Sequence, residues 1–222
     1  MMRVIVFALC WMACSVHAEA EPALQKIEVA TDVPTLESGA ETLMTVCLGC
    51  HGLKYVRFRN LVTLGIAKDK VDGWRGTNPM GMAITSQMPE DAAVQSFGKA
   101  PPDLSLITKA REGGADYIYS YLLGYYLSQD GELGNHYYPA TKMPDTLGVA
   151  GVTDPAQHAE LEKKAREVAS FLVWASDPHA QERHRLGYYV IGYLLVLTTM
   201  LYFLKQRIWA RLEKVCPIIL ER

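Results

Sequence analysis

The stretch Cys47-Leu48-Gly49-Cys50-His51 decides how this 222-residue sequence is interpreted. The two thiols are spaced about one helical turn apart, and a histidine directly follows the second one. This CxxCH spacing is the attachment signature of a c-type haem, in which the thiols add to two vinyl groups and the imidazole is held under the iron. The motif therefore predicts one covalently bound haem c, with His51 as an axial ligand of the metal.

Other uses of the two cysteines fit the sequence less well. A structural zinc site needs four ligands, usually two CxxC-like pairs, and the sequence has no second pair. A thioredoxin-like dithiol would follow a strand, whereas residues at helical spacing lead into this motif. These residues are Leu36, Ala40, Leu43, Met44 and Cys47. A disulfide between Cys47 and Cys50 remains an alternative, although a disulfide would not explain the adjacent His51.

The composition excludes two broad classes of protein. Half of the residues are apolar, 21% are charged and the formal net charge is -2, which argues against a disordered chain and against a basic nucleic-acid binder. When Arg3 and the residues after Leu204 are left out, 16 basic and 22 acidic residues remain. This acidic middle part predicts a preference for a basic partner.

Residues 1–18 predict a signal peptide. Arg3 precedes an apolar run from Val4 to Cys14, and Val16-His17-Ala18 has the small-residue spacing of a signal-peptidase site. A short membrane anchor is the alternative, but the run is too short to cross roughly 30 Å of hydrocarbon.

A second apolar segment, Leu186 to Leu204, contains 19 residues and no charge, and as a helix it would span ~28 Å, about one bilayer core. Four bases follow it within ten residues, which places the C-terminus in the cytoplasm, although Arg183 and Arg185 weaken this signal. We therefore expect a periplasmic haem domain over 19–185, a transmembrane anchor over 186–204 in the lipid of a bacterial inner membrane, and a cytoplasmic tail over 205–222.

Export makes the cysteine count informative. Of five cysteines, Cys10 and Cys14 lie in the signal peptide and Cys216 lies on the cytoplasmic side. The exported domain then contains only Cys47 and Cys50, the two thiols of the motif.

The sixth ligand of the iron decides between electron transfer and reactivity. A methionine thioether saturates the iron and raises its potential, whereas an open position would allow peroxide chemistry or gas sensing. Met44 shares a helix with the cysteines and cannot reach the other face of the haem. The remaining candidates are Met80, Met82, Met88 and Met143. Flanking prolines stiffen the loop around Met143, which favours this residue.

The rest of the exported part predicts a mainly α, small cytochrome c-like haem domain with long loops. Asp154 and Pro155 start a helix that Asp177-Pro178 ends, and its apolar stripe is expected to pack on the helix over residues 36–47. The stripe consists of Leu161, Ala165, Val168, Ala169 and Leu172. A third helix is expected over 115–127, with Tyr117, Tyr121 and Tyr125 along one side. No strand with convincing alternation is visible, and residues 52–110 are expected to be mostly loop with short helices.

Four segments, in this order, resemble the cytochrome c1 family, the haem c subunit of ubiquinol:cytochrome c reductase. They are CLGCHGLKY at 47–55, FGKAPPDLSLI at 97–107, AREGGADY at 110–117 and the Tyr138-Pro139 to Met143-Pro144 loop. The signal peptide and the late anchor match the family too. The loop over 144–153 looks shorter than in mitochondrial members, and long acidic runs are absent from the sequence, which leaves the basis of partner docking open.

The resemblance implies roles for individual residues. Cys47 and Cys50 would form the thioethers, with His51 and Met143 as the axial ligands of the iron. Arg111 matches an arginine that contacts a haem propionate, and Tyr117 matches a tyrosine near the propionates; a solvated surface charge is the alternative for Arg111. Independently of the family, the segment Pro101-Pro102 offers carbonyls without competing donors, so one of them could accept from the His51 Nδ1–H. An ordinary turn is the alternative there.

The resemblance also implies a function and partners. The chain would accept single electrons from a Rieske iron-sulfur protein, pass them to a c-type cytochrome, and assemble with cytochrome b, without a catalytic site of its own. The alternatives are an anchored cytochrome subunit of a terminal oxidase or nitrogen-oxide reductase, a haem peroxidase and a haem-based gas sensor.

Overall fold

The structure is a computed structural model that describes residues 22–220, so the predicted signal peptide lies outside the described residues. The chain divides into two units, of which the first ends at Ser176 and the second begins at Asp177. The elements of the first unit are α1 (Val33–Thr45), a 3₁₀ turn (Cys47–Gly49), β1 (Leu53–Arg57), α2 (Phe58–Leu64), α3 (Lys68–Arg75), β2 (Ala83–Ile84), α4 (Glu90–Phe97), α5 (Ile107–Ala110), α6 (Gly114–Leu123), β3 (Tyr125–Leu127), β4 (Leu133–Asn135) and α7 (Pro155–Ser176). The predicted mainly α fold is confirmed.

Helix α1 leads directly into the CxxCH motif. Asp32 caps its N-terminus by accepting hydrogen bonds from the Thr35 hydroxyl at 2.7 Å and from the Thr35 backbone N–H at 3.0 Å. The hydroxyl bond first, and the backbone bond second, lower the pKa of the Asp32 carboxyl. The residues predicted for its apolar face are buried, including Leu36, Ala40 and Leu43. The chain then tightens into the 3₁₀ turn, so the cysteines follow directly from a helix that the core fixes.

Helix α7 packs on α1 as the sequence predicted. Asp154 accepts a hydrogen bond from the Ala156 backbone N–H at 3.3 Å at its start, and the helix ends at Ser176, just before Asp177. The predicted stripe faces the core, where four of its members are buried and Leu161 is half-buried. The two helices approach so closely at Gly39 that a Cβ there would lie 2.2 Å from the Glu167 carbonyl oxygen.

Residues 52–110 contain more regular structure than the sequence indicated. Strands β1 and β2 form an antiparallel pair with Leu53 opposite Ile84, and both side chains are fully buried. Helices α2 to α5 occupy most of the remaining segment. The short helices that the sequence allowed are present, but the expectation that loop would dominate this stretch was wrong. Its elements are stabilised by the burial of single side chains such as Val56 and Leu61, and the sequence shows no regular apolar period there.

The helix predicted over 115–127 was wrong at its C-terminal end. Helix α6 ends at Leu123, and after Gly124 the chain turns into the hairpin of β3 and β4, where Tyr125 lies opposite Asn135. The Gly124 carbonyl accepts a hydrogen bond from the His136 backbone N–H at 3.0 Å. A Cβ at Gly124 would lie 2.6 Å from the Tyr137 ring, so this close approach requires glycine.

An extended strap over residues 22–32 is fastened to α6 and α7 by side chains. Its backbone N–H groups at Gln25, Ile27 and Ala30 donate to Ser120 Oγ at 2.8 Å, Asp116 Oδ1 at 3.0 Å and Ser170 Oγ at 3.0 Å, in that order. Lys26 also forms an ion pair with Asp116 at 2.8 Å. These bonds provide backbone partners for a segment that pairs with no strand.

The second unit contains α8 (Ala180–Leu220), a helix of 41 residues. Its segment Glu182–Arg211 has a mean hydropathy of 1.6 in its apolar window, and none of that window is buried. Within residues 22–220 this is the one helix that is long and apolar enough to cross a membrane. The predicted anchor over 186–204 lies inside it.

Candidate haem-binding site

One cavity of the first unit brings together the residues that the sequence singled out. Its empty volume is about 1200 Å³, including the solvent at its open mouth. Side chains from the CxxCH turn, the Pro101-Pro102 segment, helix α6 and the loop over 138–146 line it. The predicted site residues among them are Cys47, Cys50, His51, Pro102, Arg111, Tyr117 and Met143.

The CxxCH turn presents both sulfurs to the cavity. The Cys47 carbonyl accepts hydrogen bonds from the backbone N–H groups of Cys50 at 3.0 Å and His51 at 2.8 Å, which closes a tight turn. Both cysteines are half-buried free thiols. Burial, and to a lesser degree the nearby Cys50, raises the pKa of the Cys47 thiol to about 11. Before a haem is attached, this sulfur therefore keeps its proton at neutral pH.

His51 is oriented by the neighbouring proline segment. Its Nδ1 lies 2.7 Å from the Pro102 carbonyl oxygen, the hydrogen bond that the sequence suggested for this segment. Burial lowers the pKa of the imidazole, opposed by this hydrogen bond and by the charge of Asp103. A neutral ring that donates from Nδ1 leaves Nε2 as the free lone pair, which is the arrangement a metal-ligating histidine needs.

The proline segment is itself fixed against the motif. The Leu104 backbone N–H donates to the Gly52 carbonyl at 2.8 Å. The Asp103 carboxylate accepts from the backbone N–H of Lys54 at 2.8 Å and from that of Ser105 at 3.0 Å. These bonds explain how a segment far from the motif in sequence holds its carbonyl at the imidazole.

Met143 borders the same cavity as His51. The Thr141 hydroxyl accepts a hydrogen bond from the Met143 backbone N–H at 3.2 Å, and the Tyr125 hydroxyl donates to the Met143 carbonyl at 3.1 Å. Met44 is buried in the core instead. Among the described residues, the remaining candidates Met80, Met82 and Met88 do not line the cavity.

The three predicted tyrosines form a packed row, although only two of them lie on α6. The ring centroids of Tyr117 and Tyr121 are 6.0 Å apart in a stacked arrangement, and those of Tyr121 and Tyr125 are 5.7 Å apart, edge to face. Burial is the main cause that raises the pKa of Tyr125, so its hydroxyl remains a proton donor. The row belongs to the interior and to the wall of the cavity.

Positive charge collects around the cavity. The guanidinium carbon of Arg111, an exposed residue, lies 5.9 Å from the centroid of the half-buried Tyr117 ring. Lys99 and Lys142 also line the cavity. Neither was predicted as a site residue from the sequence, although both lie inside segments that resemble the family. No acidic residue is among the described lining residues. The cavity is thus suited to a ligand that carries carboxylates.

Asn135 is a second residue that the sequence did not indicate. It is fully buried, and its Nδ2 donates to the Tyr121 carbonyl at 2.8 Å while its Oδ1 accepts from the backbone N–H groups of Tyr137 at 2.9 Å and Tyr138 at 3.2 Å. One amide side chain thereby joins the end of α6 to the start of the loop that carries Met143. Nothing local in the sequence distinguishes this asparagine from a turn residue.

These groups fit a covalently attached haem. The cavity offers two free thiols, one imidazole nitrogen, one thioether and a positively charged wall, and apolar side chains such as Leu104 and Leu172 line the space between them. The donor types match those that hold a c-type haem, in which histidine and methionine are axial ligands.

Comparisons with known proteins point to one family. Residues 24–212 match the model of the cytochrome C1 family. Cytochrome c1 of Rhodospirillum rubrum is 35% identical, with 80% of this chain and 82% of the relative covered. Cytochrome c1 of Allochromatium vinosum is 31% identical, covering 80% of this chain and 84% of the relative. Cytochrome b/c1 of Bradyrhizobium diazoefficiens is 32% identical over 81% of this chain but only 33% of that longer relative. The chain therefore belongs to the cytochrome c1 family of membrane-anchored electron-transfer proteins and carries one covalently bound haem c.

Proposed function

We propose that this chain is the haem c subunit of a quinol:cytochrome c reductase, receiving single electrons from a Rieske iron-sulfur protein and delivering them to a c-type cytochrome. Cys47 and Cys50 would hold the haem through thioether bonds, and His51 and Met143 would ligate its iron. The observation that carries the proposal is that these four residues, from two distant parts of the sequence, border a single cavity.

The protein residues adapt the cofactor to electron transfer. The haem supplies a one-electron iron couple at a fixed place in the chain. His51, held through Nδ1 by the Pro102 carbonyl, keeps one tautomer and one ring orientation. The soft sulfur of Met143 would serve as the second protein ligand of the iron and would favour the reduced metal, which suits an electron carrier rather than a peroxidase.

Arg111 and Tyr117 are proposed to hold the propionate edge. A guanidinium can bind a carboxylate through two parallel hydrogen bonds, and the aromatic ring beside it limits its rotamers. Pairing also offsets the cost of placing a carboxylate in an apolar cleft. Because Arg111 is exposed, its contribution is expected to be modest.

The same proposal places the chain in the membrane. Residues 1–18 are a cleaved signal peptide, residues 19–185 form the periplasmic haem domain, residues 186–204 cross the inner membrane and residues 205–222 remain in the cytoplasm. Assembly with cytochrome b is supported by the Bradyrhizobium relative, whose name joins b and c1 in a single chain. Family membership favours this complex over a terminal oxidase or nitrogen-oxide reductase.

The test of the ligand assignment is the Met143→Leu variant of the full chain. It should keep covalent haem, lose the sulfur-to-iron charge-transfer band and have a lower reduction potential, because leucine provides no donor atom. Met82→Leu is the matched control, since Met82 is exposed and lies outside the cavity lining. Survival of the band in Met143→Leu would show that another residue is the ligand.

The test of the assembly is co-purification after mild solubilisation of the membrane. A multi-span cytochrome b and an iron-sulfur protein should accompany the chain. Recovery as a free monomer, or with a copper-haem oxidase, would reject the proposed complex.

A further inference from the structure

The main chain of Met143 is held at both of its polar groups by side-chain hydroxyls. Its N–H donates to Thr141 Oγ1 at 3.2 Å, and its carbonyl accepts from the Tyr125 hydroxyl at 3.1 Å. The Tyr121 hydroxyl lies 2.6 Å from Thr141 Oγ1 and 3.0 Å from the Tyr125 hydroxyl. We call these three hydroxyls, of Tyr121, Tyr125 and Thr141, the hydroxyl ring.

One proton arrangement satisfies every member of the hydroxyl ring. Each hydroxyl has a single proton, so if Tyr125 donates to the Met143 carbonyl, it must accept from Tyr121. Tyr121 then accepts from Thr141, whose oxygen accepts the Met143 N–H. The four hydrogen bonds close a cycle that begins and ends on the main chain of one residue, and each bond polarises the next.

The hydroxyl ring is supported by the rigid part of the fold. Tyr125 is only 5% exposed, and its ring packs edge to face against that of Tyr121. The fully buried Asn135 holds the Tyr121 carbonyl. Strand β3 and helix α6 thus provide fixed positions from which two hydroxyls reach an otherwise irregular loop.

We propose that Tyr125, Tyr121 and Thr141 are positioning residues that keep the Met143 sulfur at the haem iron, an inference that rests on the proposed role of Met143. A thioether is a neutral ligand on a side chain with three rotatable bonds, so the side chain alone does not fix its own place. The hydroxyl ring restricts the backbone of Met143, which carries that side chain. Its loss opens the sixth position to small ligands while covalent haem remains.

The test is the Tyr125→Phe variant of the full-length holoprotein, with carbon monoxide as the probe. Removal of the phenolic proton leaves a half-buried carbonyl without its donor. We expect the carbon monoxide affinity of the reduced protein to rise about tenfold, equivalent to about 1.4 kcal/mol, and the sulfur-to-iron band to weaken. Tyr126→Phe is the matched control, because Tyr126 is the next residue of the same strand and its ring stacks on His136, outside the hydroxyl ring. Equal affinities in wild type, Tyr125→Phe and Tyr126→Phe would overturn the proposal.

A second pair of variants decides the matter if Tyr125→Phe fails to acquire haem. Thr141→Val removes the hydroxyl at nearly constant volume and should increase carbon monoxide binding, whereas Thr141→Ser keeps the hydroxyl and should behave as wild type. No difference between these two variants would refute the hydroxyl ring. Failure of the underlying assignment has another signature, since then Met143→Leu would retain the charge-transfer band whatever the Thr141 variants do.

Discussion

The substitution Gly39→Ala tests the close contact between α1 and α7. A Cβ at this position would lie 2.2 Å from the Glu167 carbonyl oxygen and 2.9 Å from the Phe171 Cβ, both on α7. Since unstrained contacts need more than 3 Å, the two helices must separate by about 1 Å. The obstruction is backbone, so no side chain can rotate away from it.

The change in the free energy of unfolding caused by Gly39→Ala is the sum of two opposing contributions. Overpacking of a core costs typically about 1–3 kcal/mol, and a backbone obstruction belongs at or above the upper end of that range. Alanine gains about 0.8–1.0 kcal/mol over glycine in a helix interior. We expect a net destabilisation of about 2 kcal/mol, which in a chain of this size lowers Tm by about 4–8 °C.

The assay is thermal unfolding of the detergent-solubilised holoprotein, followed by circular dichroism in the haem absorption band. Gly73→Ala is the matched control, because Gly73 lies inside α3 and a Cβ there meets nothing within 4 Å. That variant should gain about 0.4–1 kcal/mol. If Gly39→Ala melts at or above the wild-type temperature, the packing described for α1 and α7 is wrong.

Three further predictions concern the strap, the buried amide and the thiols. The hydrogen bond from Lys26 and, after it, the hydrogen bond from the Ile27 N–H lower the pKa of Asp116. This carboxylate therefore stabilises the fold above its unfolded pKa of about 3.9, and the contribution is lost as pH falls through the lower folded value. Acid titration of Asp116→Asn should accordingly show a shallower loss of stability than acid titration of the wild type. Asn135→Ala removes three hydrogen bonds from a buried site and should cost about 2–4 kcal/mol in denaturant unfolding, whereas a cost below about 1 kcal/mol would contradict the role given to this amide. Cys50→Ala should leave a single thioether, which mass spectrometry and a shifted reduced absorption band would detect; an unchanged band would argue against attachment at Cys50.

Signals confined to a few adjacent residues were read correctly from the sequence. Asp154 and Pro155 mark the start of α7, and Asp177-Pro178 marks its end, because capping and the missing proline N–H act within one turn. The burial of α7 on α1 could also be predicted, since an apolar stripe at helical spacing has to face a core.

Elements that depend on distant contacts were not predictable. Helices α2 to α5 have between four and eight residues, too few for a helical period to stand out. The apolar pattern of α6 continues to Leu127, but the helix ends at Leu123. After it, the Gly124 carbonyl accepts a hydrogen bond from the His136 backbone N–H, and the Tyr137 ring packs directly against Gly124. These partners follow more than ten residues later, and no local propensity encodes them.

The candidate site divides in the same way. The CxxCH motif alone predicts Cys47, Cys50 and His51 as haem-binding residues. The prolines around Met143 favoured it over the other methionines as the second ligand of the iron. The contacts that fix Met143, from Tyr125 and Thr141, arise only when the hairpin and the loop meet. The charge of the cavity was predicted only at Arg111, since the acidic composition gave no sign that its described lining would also contain Lys99 and Lys142 and no acidic residue.

The strap over residues 22–32 has a consequence for how the protein matures. Its anchoring hydrogen bonds join residues 89, 95 and 140 positions apart, so the first described segment of the chain is held by residues that come much later in the sequence. Contacts this far apart in sequence form slowly and only after their partners are present. The strap must therefore wait, without these hydrogen-bond partners, until the segment containing Ser170 has been made and has formed its part of α7.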